Sequence, residues 1–168
     1  ISGHVLFLWE EDDTEPVEMD EGFITLSGGP HFPAYLHAGR FYVPFGHYES
    51  FFITDPLPLE LGETRESALL AGYGTRVGDF SAGAFNGDVD EPGDSDHIDS
   101  FFANASFSLP EDAFAGANFR FGVSYMTNIA DSDLLEAEND VDGDGTPDGI
   151  KDEVGGISGF INADFQNR

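Results

Sequence analysis

Residues 140–153, DVDGDGTPDGIKDE, carry the most specific ligand spacing in the chain. Asp140, Asp142 and Asp144 take positions 1, 3 and 5 of a loop, Gly145 takes position 6 and Asp148 position 9. Alternate carboxylates at this spacing fold around one hard cation, and the glycine permits the sharp turn that closes the shell. Position 12 is Lys151 where an EF-hand has a bidentate glutamate, and no helical period flanks the loop. The pattern is therefore that of an aspartate-rich Ca²⁺ loop of extracellular repeats, with Asp152 or Glu153 completing the shell. A solvated acidic loop is the alternative reading of such a charge run.

The other candidates carry less. Residues 88–99, DVDEPGDSDHID, hold carboxylates and His97 without a regular ligand period, and read as a solvated loop. The five histidines, at 4, 31, 37, 47 and 97, form no HxxxH pair, and neither a GxSxG elbow nor any cysteine is present. An enzyme is not expected. The remaining polar candidates are four arginines, Arg40, Arg65, Arg76 and Arg120, as contacts for a solute.

Composition narrows the partners. With 33 acidic and 6 basic residues the formal charge is −27, which would repel a phosphate backbone and argues against nucleic acid. An aromatic content of 14% argues against simple disorder. No run of about 18 apolar residues exists, so a transmembrane helix is not expected. The chain opens on Ile1 and closes on DFQNR, and a processed chain or fragment of a single domain over 1–168 is the expectation.

Period-two alternation is the dominant local signal. In 119–126, Phe119, Phe121, Val123 and Tyr125 oppose Arg120, Gly122, Ser124 and Met126; residues 101–108 and 157–165 behave alike. Further strands are expected over 3–10, 20–28, 34–44, 66–74 and 76–86, about eight in all, several near the length that crosses a bilayer at a tilt. Short links at 27–33, near 75 and at 108–118 alternate with long ones at 45–65, 86–99 and 127–153; 11–19 is intermediate and acidic. An outer-membrane barrel alternates its connections in this way. The fold expected is all-β, an antiparallel transmembrane β-barrel, either closed as a small barrel or part of a larger one. In such a wall Arg40, Arg76 and Arg120 must face the lumen, because arginine at the lipid midplane costs about 2–4 kcal/mol. There they would contact solute or brace the wall against Glu66, Asp79 or Asp164. A secreted Ca²⁺-dependent β-sandwich, serving in binding or adhesion, is the alternative, since alternating Phe and small polar residues also fill a sandwich core.

Residues 41–73, FYVPFGHYESFFITDPLPLELGETRESALLAGY, resemble the LbtU-type siderophore porins of Gram-negative outer membranes. The resemblance rests on a YVPFG strand end, a DPLPLELGETRESA connection and the AGY strand after it; LWEEDDTEPVEMDEGFITL (8–26) is similar more loosely. It implies a barrel among outer-membrane lipid that passes ferric siderophore or another small solute. The connection 55–68 is then expected outside the membrane, ordered and held extended by Pro56 and Pro58, with its leucines tucked against the rim or into the lumen.

Overall fold

A computed structural model describes residues 1–9, 17–29, 31–47, 57–87, 98–109, 117–132, 134–135 and 153–165. Their alternating pattern forms eight strands: β1 (Ser2–Trp9), β2 (Val17–Ser27), β3 (Ala34–Tyr42), β4 (Arg65–Gly74), β5 (Gly78–Phe85), β6 (Ser100–Leu109), β7 (Ala117–Met126) and β8 (Gly156–Phe165). Every neighbouring pair is antiparallel, and the order in the sheet is the order in the chain. The sheet is open: among the described residues β1 and β8 each pair on one side only. The all-β antiparallel expectation is met.

The connections sort by end. Residues 28–33, 75–77 and 110–116 join strands at one end; 10–16, 43–64, 86–99 and 127–155 join them at the other. The tightest turn is set by Thr75, whose Oγ1 accepts from the Gly78 and Val77 amides while its own amide donates to the Gly78 carbonyl at 2.7 Å.

Register assigns every strand residue a face. One face carries Val5, Phe7 and Trp9 of β1, Ile24 and Leu26 of β2, and Leu36 and Ala38 of β3. It continues through Leu69, Ala71 and Tyr73, then Phe80, Ala82 and Ala84, then Phe101, Ala103, Ala105 and Phe107. Phe121, Val123 and Tyr125 with Ile157, Ile161 and Phe165 complete it. Most of its aromatic residues lie toward the two borders, with Phe7, Trp9, Tyr42, Phe101 and Tyr125 nearer the long-connection end and Tyr73, Phe80, Phe107 and Phe165 nearer the other, while Phe121 lies mid-strand. Alanines, leucines, isoleucine and valine fill the middle. This apolar face is uncovered: Ile157 is 78% and Ile161 84% exposed.

The opposite face is mixed and partly covered. Glu21, Thr25, Tyr35, His37, Asp79, Ser81, Asn104, Ser106, Arg120, Ser124 and Asn162 stand on it beside Leu70, Phe85, Phe102 and Met126. Large rings lie over glycines of the neighbouring strand. The Tyr35 ring occupies the space where a Cβ of Gly72 would be, which lets its hydroxyl pass over β4 and donate to Asp79 Oδ1 of β5 at 2.8 Å. Phe102 and Phe160 lie likewise over Gly83 and Gly122.

A strap covers this face at the long-connection end. The Val43 amide donates to the Thr64 carbonyl at 2.8 Å, continuing the β3–β4 ladder, and Phe45 turns back on Val43 at 2.7 Å. Gly46, at φ +88°, then directs its amide to Ser124 Oγ of β7 at 3.0 Å, and the His47 ring meets Phe160 of β8 at 4.8 Å. A flat sheet would put β7 about 19 Å from β3, whereas residues 43–46 extend at most about 14 Å. The sheet therefore curls toward its covered face. Val43 and Phe45 bury themselves there against Phe41, Leu70, Phe85, Phe102 and Met126, and this cluster is the core.

The structure alters the reading of 55–68. Residues 55 and 56 lie outside the described residues. Leu57–Glu60 form a single helical turn, α1, closed by the Leu61 amide on the Leu57 carbonyl at 3.0 Å. Pro58 is accommodated because the first turn of a helix needs no amide donor. Leu57 is exposed and Leu59 half-buried, so it is Phe45 of the preceding strap that enters the covered face.

Candidate functional site

The concave face is built from polar side chains that alternation alone delivers to it. Across β1–β3 the rings of His4, Phe23 and His37 stack in a row at 5.0 and 5.4 Å, and Tyr35 lies against His37 at 5.0 Å. His4 Nε2 meets Glu21 at 2.8 Å. Across β5–β8 the surface changes to hydroxyls and amides: Ser81, Asn104 and Ser124 are consecutive in register, and Asn104 Nδ2 donates to Ser124 Oγ at 2.7 Å. Ser108, Arg120 and Asn162 form a parallel row nearer the short-turn end. Such a surface presents hydrogen-bond donors and acceptors side by side.

Buried polar groups, as well as the strap, pack at the long-connection end. Asn128 Oδ1 accepts from the Ala130 amide at 3.2 Å and the Val154 amide at 3.3 Å, folding the first residues after β7 inward. This brings Asp131, fully buried, to 3.4 Å from the Ser100 hydroxyl. The connections at this end, 10–16, 43–64, 86–99 and 127–155, contain 5, 4, 6 and 10 acidic residues, 25 of the chain's 33, with Lys151 their single lysine or arginine.

The four arginines do not converge. Arg40 stands on the apolar face, in register with Gly22 and Ser67, two residues from the end of β3. It does not share the concave face with Arg120, as the sequence reading expected. Arg76 lies exposed in the 75–77 turn instead of a strand, because β5 starts only at Gly78. Arg65, paired in register with Tyr42, sits at the rim. A bulge in β2 drops Asp20 out of the β1 ladder; its carboxylate meets Arg65 Nη1 at 2.5 Å and accepts from the Tyr42 hydroxyl at 3.1 Å, with Glu18 at 3.4 Å from the same nitrogen. Arg120 is the one of the four that faces the concave side. The aspartates Asp140, Asp142, Asp144, Asp148 and Asp152 lie outside the described residues.

Sequence reasoning missed the strap and Tyr35, and offered Asp79 to the arginines where the structure gives it the Tyr35 hydroxyl. Tyr35 and Asp79 sit 44 residues apart, and the small Gly72 between their strands was the available signal.

No family model matches the chain, and no solved structure matches it. The chain is similar to a UPF0422 protein of Coxiella burnetii (strain RSA 493 / Nine Mile phase I), 30% identical over 144 residues that cover 82% of this chain and 30% of the relative. Two UPF0422 proteins of Legionella pneumophila are also similar. The one from strain Lens is 32% identical over 66 residues (38% of this chain, 12% of the relative), and the one from strain Paris 30% over 69 residues (41% and 13%). The chain thus spans less than a third of the length of the curated relatives it matches.

Proposed function

We propose that these eight strands are wall of an outer-membrane β-barrel whose concave face passes a small polar solute. One observation supports this above others: a sheet face that is apolar along all eight strands except at Arg40 and Ser67 near one border, with aromatic residues toward both ends, opposite a face rich in hydroxyls, amides and charges. Lipid outside and water inside impose that division, and aromatic girdles mark the two interfaces. A water-soluble sheet leaving so broad an apolar face uncovered would aggregate or need a partner over it. Strands of 8–11 residues and long connections gathered at one end agree with the same reading.

Transport on this account is passive and needs no covalent step. The acidic connections raise the local concentration of cations and repel anions, so neutral and cationic solutes are favoured. A ferric siderophore enters as a substrate through the resemblance of 41–73, and Ca²⁺ at 140–152 through the carboxylate spacing. Proteoliposome swelling tests the proposal. Vesicles carrying the chain are expected to swell faster in neutral pentoses and cationic amino acids than in anionic amino acids of the same size, a preference that shrinks as salt screens the acidic residues. Swelling no faster than that of empty vesicles would refute passage.

A further inference from the structure

Arg120 is half-buried on the concave face and makes no side-chain hydrogen bond or ion pair among the described residues, in a chain with 33 acidic residues. Its neighbours in register are Ser108 and Asn162, with Asn118 two residues before it on the same face. Asp164, in register with Asn118, is exposed at the end of β8 and does not pair with it. Carboxylates occupy the other flank of the face: Glu21 on β2, Glu66 on β4 and Asp79 on β5. Asp79 is the nearest of these three, in register with Ser106 and held by the Tyr35 hydroxyl at 2.8 Å. Two strand spacings and two residues separate its Cα from that of Arg120, about 12 Å on a flat sheet. The two charges do not pair. Both residues lie toward the short-turn end, whereas the strap crosses the long-connection end.

We infer that this span binds a small zwitterion, its carboxylate on Arg120 and its ammonium toward Asp79, so that the solute class is amino acids and short peptides. The inference rests on the reading of the concave face as the path of a solute. A guanidinium receives a carboxylate through two parallel, charge-assisted hydrogen bonds, which are roughly twice as strong as neutral ones. The Ser108 hydroxyl and the Asn162 amide stand beside it with further donors for the same oxygens. An ammonium has three donors and no acceptor, matching the Asp79 carboxylate and the Ser106 hydroxyl oxygen of its row. Overall charge decides between the classes. A simple anion is repelled by a chain of net charge −27, and a simple cation leaves Arg120 unmatched. A zwitterion is neutral overall and satisfies both ends.

The other arginines supply controls within the same chain. Phenylglyoxal condenses with free guanidinium groups, and peptide mass spectrometry reads the extent at each arginine of the folded chain in detergent. The zwitterion 4-aminobutyrate is expected to slow the reaction at Arg120 about threefold once its concentration is about twice its Kd. Arg40 and Arg76, both exposed, should keep their rates. Butylammonium should protect nothing, and butyrate should need several-fold higher concentration. Asp79→Asn, which keeps an acceptor for Tyr35, should reduce protection by 4-aminobutyrate to the level of butyrate. Arg120→Gln gives a second readout: swelling in 4-aminobutyrate relative to pentose is expected to fall about two- to threefold. Far-UV circular dichroism of each variant confirms its sheet. Equal slowing at all three arginines, none at Arg120, unchanged protection in folded Asp79→Asn, or an unchanged swelling ratio in Arg120→Gln would each overturn the site. Protection in detergent needs no passage. Swelling in pentoses without protection therefore refutes the site alone, and protection without swelling refutes the path alone.

Discussion

Ala82→Arg is expected to reduce the stability of the membrane-inserted chain by about 2–4 kcal/mol, whereas Ser106→Arg is expected to cost little. The two residues sit on adjacent strands and on opposite faces. Ala82 is near the middle of β5, in register with Ala71 and Ala103 and between the two aromatic borders. An arginine there has no carboxylate within its row and, in a lipid-facing wall, would have to carry its charge through hydrocarbon to the interface. Ser106 is in register with Asp79 on the concave face, so an arginine placed there meets a carboxylate and water. Denaturant titration of vesicle-inserted chain reads both. A sheet that lived in water would show the opposite ranking, because an arginine on an open surface is tolerated while one on the covered face crowds its neighbours.

The second large effect concerns the strap. Phe45→Ala is expected to cost about 3–5 kcal/mol, the usual loss for a buried phenylalanine. Phe45 is 5% exposed and packs within the cluster of Phe41, Leu70, Phe85, Phe102 and Met126, with its ring tip facing Gly156. Its removal also takes the largest apolar group of the strap from across the concave face. Swelling in pentoses should therefore rise severalfold even as stability falls. A stable variant with unchanged swelling would show that the strap neither braces the core nor narrows the path.

Much of this was legible in the residues, and the exceptions have physical causes. Period-two alternation identifies strands because each strand has one face in contact with a different medium from the other. That condition holds along Phe119–Tyr125 and Ile157–Phe165, and those strands were plain. VPFG at 43–46 reads locally as the end of β3, since nothing in four residues reveals that they bury against β7 and β8. Arg40 was placed by an energy argument that assumed a midplane position, although counting parity from Leu36 and Ala38 assigns it to the apolar face. Pro58 favours an extended chain locally, yet the first turn of a helix also accepts it, as at Leu57–Glu60. Asp20 became a partner of Arg65 only through the β2 bulge, which no alternation pattern reports.

The absence of cysteine from the chain makes the central claim directly measurable. Single cysteines placed in turn at residues 103–108 of β6, labelled with a polarity-sensitive fluorophore, report the medium at each position in reconstituted vesicles. The account predicts quenching by brominated lipid at 103, 105 and 107 and by aqueous iodide at 104, 106 and 108. Quenching by iodide alone at all six, with lipid quenching at none, would contradict a sheet that stands between lipid and water.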